Sequence, residues 1–281
     1  MHRDGAALRV GWFGRQLTRC GWAGEGIQPR ARESRDRMSQ DVQRTTSDSP
    51  SLAETGKSRR TSVETDNTRA YAELKRAVLA GSFRPGDVIT LRAIATLLAI
   101  GDTPVREAVK RLISEGAFEA LPNRSARVPL MNRRDIQQIL DLRIMLESNA
   151  AALAAQNITL HQIELLRGLH KQMGAAVAAD DSQTYGELNM AFHFEIYRIA
   201  DNRTLATLIE ALWLRMAPFV SRTRPLMTSD ASQAWYLACG QHEALLLAMQ
   251  TRDAEAARAA MRADLSVLPK IDGYWEGVEN A

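Results

Sequence analysis

Between Ile89 and Val128 the chain reads ITLRAIATLLAIGDTPVREAVKRLISEGAFEALPNRSARV, and few local folds accommodate that order of signals. Leu91, Ile94, Ala95 and Leu98 recur at i, i+3, i+4 and i+7, which makes one apolar face of a short helix. Gly101 breaks the helix, and Asp102-Thr103-Pro104 restarts it, with Thr103 as the cap and Pro104 at the tolerated first position. Val105, Ala108, Val109 and Leu112 form the apolar face of the second helix, while Arg106, Lys110 and Arg111 fall largely outside it. A helix that buries one side and offers cations near its N-terminus suits a DNA major groove. Leu121-Pro122-Asn123-Arg124-Ser125 then interrupts the pattern, which predicts a hairpin with Arg124 at its tip, a wing within reach of a phosphate or the minor groove. The plainer alternative is a helical hairpin with ordinary surface charge. The wing and the basic face together favour the DNA-binding reading.

Charge is divided along the chain in the same sense. Residues 67–131 carry 10 Lys and Arg against 6 Asp and Glu, whereas residues 132–281 carry 14 against 18, so only the first segment calls for an acidic partner. Hydrophobic residues at 45% and charged residues at 25% are ordinary for a globular protein. No apolar run approaches the roughly 20 residues that span a bilayer. Cys20 and Cys239 are too few and too scattered for a disulfide framework or a cysteine metal site, which suits a reducing cytoplasm.

The motifs Val78-Leu79-Ala80-Gly81, Arg84-Pro85-Gly86-Asp87, Leu91-Arg92, Ile94-Ala95 and Thr103-Pro104-Val105-Arg106-Glu107-Ala108 have a further meaning in combination. Over roughly Asn67 to Met131 they resemble the winged helix-turn-helix of GntR-family bacterial transcription regulators. The resemblance implies that Arg92 holds phosphate and that Arg106 lies at the operator, with Asp102, Thr103, Lys110 and Arg124 on the same surface. One departure stands out. Gly101-Asp102 occupies the place of the family's usual Ser-Arg, so a base-reading arginine is absent; an aspartate can accept from a cytosine amino group but repels phosphate.

Residues 1–66 show no sustained apolar periodicity and read as a disordered leader, of which 1–37 has the look of a mis-called translation start before Met38. Residues 132–275 are predicted to be almost wholly helical. Helices near 133–155, 159–178, 182–200, 202–224, 229–250 and 252–267 are separated by short polar breaks, which predicts a mainly α protein with an antiparallel bundle of about six helices behind the winged helix. Pro218 is placed to kink the fourth of them. The segments Asp141–Glu147, Phe192-His193, Ala200-Asp201-Asn202, Gln241-His242-Glu243-Ala244 and Asp253–Leu265 resemble the FCD ligand-binding and dimerisation domain of the FadR branch of that family.

Polar residues on the apolar stripes of those helices are the candidate site. Arg143 follows the stripe of Ile136, Ile139 and Leu140, so it points inward and needs an anion. Glu147, four residues on, supplies one; a ligand carboxylate held by two parallel hydrogen bonds is the other choice. On the FCD resemblance Arg143 and Asn202 are the effector-binding residues. Asn189 and His193 share a stripe, His242 and Asp264 occupy two more, and many family members place Asp, His, His and His at these four positions around a divalent metal. Here the set is Asn189, His193, His242 and Asp264, which still suits Zn, Ni, Mn or Fe with positions left open. A metal-free pocket with His193 paired to Asp264 is the rival. His161 and His170 read as surface or packing residues.

The expectation is a homodimeric, cytoplasmic, non-enzymatic regulator that binds a double-stranded DNA operator and responds to a small carboxylate effector, with no membrane association. The alternative from another class is a metal-dependent enzyme using the two-histidine, one-carboxylate set.

Overall fold

The computed structural model of the chain describes residues 52–122, 125–228, 233–270 and 274–275. Among the described residues the first element is α1 (Leu52–Leu79), followed by β1 (Val88–Thr90), α2 (Leu91–Leu98), α3 (Asp102–Ser114), β2 (Glu119–Leu121) and β3 (Ser125–Arg127). Helices α4 (Arg133–Asn157), α5 (Leu160–Ala178), α6 (Ser182–Ile199), α7 (Arg203–Thr228), α8 (Gln233–Thr251) and α9 (Ala254–Leu265) complete the fold, with a last 3-10 turn at Leu268–Lys270. The six predicted C-terminal helices are therefore present, each within a few residues of its expected bounds. The part of the leader from residue 52 to 66 is helical rather than disordered, being the first half of α1; the rest of the leader, like Arg124, lies outside the described residues.

The first domain is a winged helix-turn-helix built around α3. Val105, Ala108, Val109 and Leu112 are buried and pack against α1 through Ala70, Leu74 and Val78, burying the face the spacing foretold. The wing is a three-stranded antiparallel sheet in the order β1-β3-β2, in register Ile89 with Ala126 and Ala120 with Ala126. Three residues before α2 thus add an edge strand to the expected hairpin. Pro85-Gly86 leads into it through a turn closed by Asp87 N–H to the Arg84 carbonyl at 3.0 Å. Gly86 takes φ +81 there, which a side chain would strain.

Two details of the helix-turn-helix differ from expectation. Helix α3 begins at Asp102, with Gly101 as its N-cap and no side-chain cap, so Thr103 lies inside the first turn and does not cap it. Pro104 is tolerated at the third position because that amide has no partner within the helix either. The chain also turns at Ala99, not at Gly101. Ala99 sits at φ +51 while Ile100 N–H returns to the Ala95 carbonyl at 3.1 Å, closing α2 with a left-handed residue.

The helical domain is an antiparallel bundle in which α9 packs on α4 and α8, α6 packs on α5, α4 and α7, and α5 meets α8. Capping boxes at Asn132/Asp135 and Thr159/Gln162 start α4 and α5, and Asp253 accepts from the first amides of α9. Helix α7 runs on through Pro218 without interruption. Inward-facing side chains of α4, α6, α7, α8 and α9 meet in the middle of the bundle, and the polar ones among them define the site.

Candidate metal centre

His193 on α6, His242 on α8 and Asp264 near the end of α9 converge in that interior, each no more than 9% exposed. Nε2 of His193 lies 3.3 Å from one carboxylate oxygen of Asp264, and Nε2 of His242 lies 3.3 Å from the other. Tetrahedral zinc with metal–nitrogen and metal–oxygen bonds of about 2.0–2.1 Å holds its nitrogen and oxygen ligands about 3.3 Å apart. The donor spacing therefore fits a metal ion. Among the described residues, both ring nitrogens of His242 and Nδ1 of His193 are buried without a hydrogen-bond partner. A neutral imidazole has one donor and one acceptor to satisfy, and a metal on Nε2 satisfies the acceptor. Phe192 packs on the His242 ring with centroids 4.8 Å apart, and Trp213 lies 5.9 Å from the His193 ring, so aromatic contacts orient the imidazoles.

The protonation states follow from burial. Burial, with the Arg143 charge nearby, pushes His193 down to about 3. Burial and the neighbouring rings of His193 and His170 push His242 well below the usual imidazole range. Burial and the Glu147 charge raise Asp264 to about 7, against the opposing pull of Arg143. The 3.3 Å contacts have ion-pair distances, yet burial keeps both imidazoles neutral and favours the protonated form of Asp264. Desolvation outweighs the attraction because all three groups are out of water.

Beside the cluster, Arg143 and Glu147 of α4 form a buried pair: Nε to Oε1 at 2.7 Å and Nη2 to Oε2 at 3.4 Å. The Tyr197 hydroxyl donates to the same Glu147 carboxylate, and the Trp213 ring covers the guanidinium at 4.4 Å. Of the two partners open to Arg143 on the sequence, the structure supplies the internal one. Arg143 nonetheless lines a cavity of about 80 Å³ together with Tyr185, Asn189, His193, Trp213 and Asp264. Asn189 thus shares the cavity with two of the three cluster residues. Asn202 does not belong to the site. Its Oδ1 accepts from Leu205 N–H at 3.0 Å and starts α7, a capping role that an exposed asparagine between two helices fills well.

His170, expected to be a surface or packing residue, stands edge-on to His242 with centroids 5.7 Å apart and touches Cys239 and Glu243. Its place on one stripe with the buried Ile163, Leu166 and Met173 is the signal that would have found it. Trp213 carried no such signal, since an indole on an apolar helix reads as core.

At the other end of the molecule, Asp102 and Thr103 stand exposed at the start of α3, and Arg92 is exposed on α2. Arg106 is half-buried, with an Nε that has no partner among the described residues. Lys110 is exposed but paired with Glu107 at 2.9 Å.

A winged helix-turn-helix joined to a helical bundle that encloses a polar cavity defines a DNA-binding transcriptional regulator. Comparison with known proteins agrees. The family of bacterial regulatory proteins, gntR family, matches residues 67–128, and the FCD domain matches residues 138–266. The chain belongs to the GntR family, in the branch that carries an FCD domain. It is 29% identical over 190 residues to the HTH-type transcriptional regulator McbR of Escherichia coli K12, covering 66% of this chain and 83% of that protein. It is 25% identical over 213 residues to LutR of Bacillus subtilis, covering 70% and 96%. The solved structure of E. coli McbR/YncC superposes with a TM-score of 0.67 at 26% identity, covering 72% of this chain and 93% of that one. No helix among the described residues is long and apolar enough to cross a membrane.

Proposed function

We propose that the chain is a ligand-responsive regulator. It binds a palindromic operator as a homodimer and senses a small monocarboxylate with the help of a divalent metal held by His193, His242 and Asp264. The homodimer follows from the single recognition helix, which reads too few base pairs for genomic specificity alone. The observation that carries the sensing role is the meeting of this ligand set with a cavity that Arg143 also lines.

Charge decides what the cavity favours. Arg143 and Glu147 cancel, and the imidazoles are neutral, so the metal-free cluster is neutral or singly negative and does not attract an anion. A dication with an ionised Asp264 turns the sum to a single positive charge, which one carboxylate neutralises. Asn189 preserves that charge, where an aspartate would cancel it. When bound, the metal supplies a Lewis-acidic centre for the acid. Arg143 gives Glu147 two of its five N–H donors among the described contacts and also lines the cavity, which is where a carboxylate would meet it. A volume of about 80 Å³ is far below the roughly 300–1,000 Å³ of drug-sized pockets, so the acid has few heavy atoms.

The test is a thermal-shift panel of two- to four-carbon mono- and dicarboxylates, with and without Zn(II) or Ni(II), followed by operator binding. A monocarboxylate should raise Tm only when metal is present, and the His193→Ala, His242→Ala double variant should lose the effect. An acid that stabilises the metal-free protein equally, or a parent protein that takes up no metal, overturns the proposal.

A further inference from the structure

A second group of metal-binding side chains lies beside the first, on the outer side of His242. Cys239 and Glu243 are one turn apart on α8, and His170 reaches them from α5. The three donor atoms form a triangle: Cys239 Sγ to His170 Nε2 is 3.6 Å, Cys239 Sγ to Glu243 Oε1 is 3.8 Å, and His170 Nε2 to Glu243 Oε1 is 3.9 Å.

Zinc bonds of about 2.3 Å to sulfur and about 2.0–2.1 Å to nitrogen and oxygen set the edges of a tetrahedral site. They are about 3.5 Å for the two edges that include sulfur and about 3.3 Å for nitrogen to oxygen. The two sulfur edges are already within a few tenths of an ångström. The third is longer, and it ends on Glu243, whose side chain is 68% exposed and free to close the gap. His170 and Cys239 are half-buried, so the site has fixed inner donors and an outer side open to water. That opening provides an entry path and a fourth ligand.

We propose that His170, Cys239 and Glu243 bind one zinc-class ion with a water molecule, tying α5 to α8. A thiolate with an imidazole selects Zn(II) or a comparably soft ion over Mg(II) and Ca(II), which require oxygen ligands. Binding releases the thiol proton to solvent. The edge-on contact of His170 with His242 places the outer ion one ring away from the inner cluster. The outer site does not depend on the inner one, whose ligand set contains no sulfur.

Co(II) titration of the reduced full-length protein separates the two, because only a thiolate ligand gives a sulfur-to-cobalt charge-transfer band in the near ultraviolet. The parent should show the band, Cys239→Ser should lose it, and His170→Ala should need at least tenfold more Co(II) to develop it. The His193→Ala, His242→Ala variant should keep it. No band at saturating Co(II), or a band lost in Cys20→Ser and retained in Cys239→Ser, overturns the assignment.

Discussion

Asp264→Asn should stabilise the metal-free protein at neutral pH while abolishing metal binding at the His193/His242 cluster, an outcome peculiar to a buried carboxyl awaiting a cation. Asp264 is held at about 7 in the fold against an ordinary 3.8. Between those values the folded state binds a proton that the unfolded chain has released, so this group's contribution to stability falls as pH rises from about 4 to 7. At about 1.36 kcal/mol per pH unit, the penalty reaches about 4 kcal/mol above pH 7. Asparagine carries no such penalty. The two histidines impose the opposite pH dependence: neutral in the fold, they charge only on unfolding, and stability is lost as pH drops below 6.5. Subtracting parent from variant cancels them. Urea denaturation of EDTA-treated protein should show a stability difference near zero at pH 4. The difference should grow in favour of the variant to roughly 4 kcal/mol at pH 8. With the outer site removed from both proteins by Cys239→Ser, Zn(II) should then stabilise only the one that keeps Asp264. An ionised Asp264 paired with a charged imidazole would make the substitution destabilising at every pH above 4, and that result would refute the argument.

The same protonation states bear on metal affinity, which should weaken about tenfold per pH unit below pH 7, through one proton on Asp264 rather than through the imidazoles. A competing chromophoric chelator measures this slope in Cys239→Ser, which lacks the outer site; a slope of two or more between pH 5 and 7 would mean that histidines titrate there. Arg106→Ala should cost about 1–3 kcal/mol of operator affinity, whereas Arg92→Ala should weaken all sequences alike and reduce the salt dependence by about one counterion. Fluorescence anisotropy at several salt concentrations checks both. Ala99→Gly should raise stability by up to about 1 kcal/mol, since Ala99 is exposed at φ +51 and gains nothing from its methyl group. Equal urea midpoints for parent and variant would show that the left-handed turn carries no strain.

What could be read in the sequence was whatever depends on spacing within one helix. Leu91 to Leu98 and Val105 to Leu112 repeat at helical intervals, so the helix-turn-helix and its buried faces were legible. Val88-Ile89-Thr90 is too short to show an alternating pattern, and its pairing with β3 is a tertiary event. The end of α2 was misplaced because Gly101 is the better left-handed residue, yet the chain turns two residues earlier so that Ile100 can be buried. Arg143 and Glu147 sit four apart on one face, so their pairing was readable, whereas the addition of Tyr197 and Trp213 needed α6 and α7 in place. His193, His242 and Asp264 could each be set facing inward by periodicity. Their convergence came from the family resemblance, not from the stripes themselves.

Leu79 at the end of α1 lines the cavity directly, and helix α7 makes a second connection between cavity and DNA-binding domain. Trp213 lies against Arg143 and His193. Three residues earlier, Glu210 pairs with Lys75 of α1 at 2.6 Å, and α1 supports the buried face of α3. Two residues later, Arg215 packs on Gly116, just beyond the end of α3; a Cβ there would lie 3.2 Å from its Cδ. A shift or rotation of α7 driven from the cavity therefore moves both contacts with the DNA-binding domain. Coupling of this kind needs a difference of typically 1–3 kcal/mol between two arrangements, and the half-buried Lys75–Glu210 pair is of a size to contribute a share of it. With Zn(II) as the probe, hydrogen exchange should slow along α7 and in residues 111–118 as well as around the metal cluster. In Glu210→Gln the protection of α7 should persist while that of residues 111–118 diminishes. Protection confined to α4, α5, α6, α8 and α9 in the parent would mean that α7 transmits nothing.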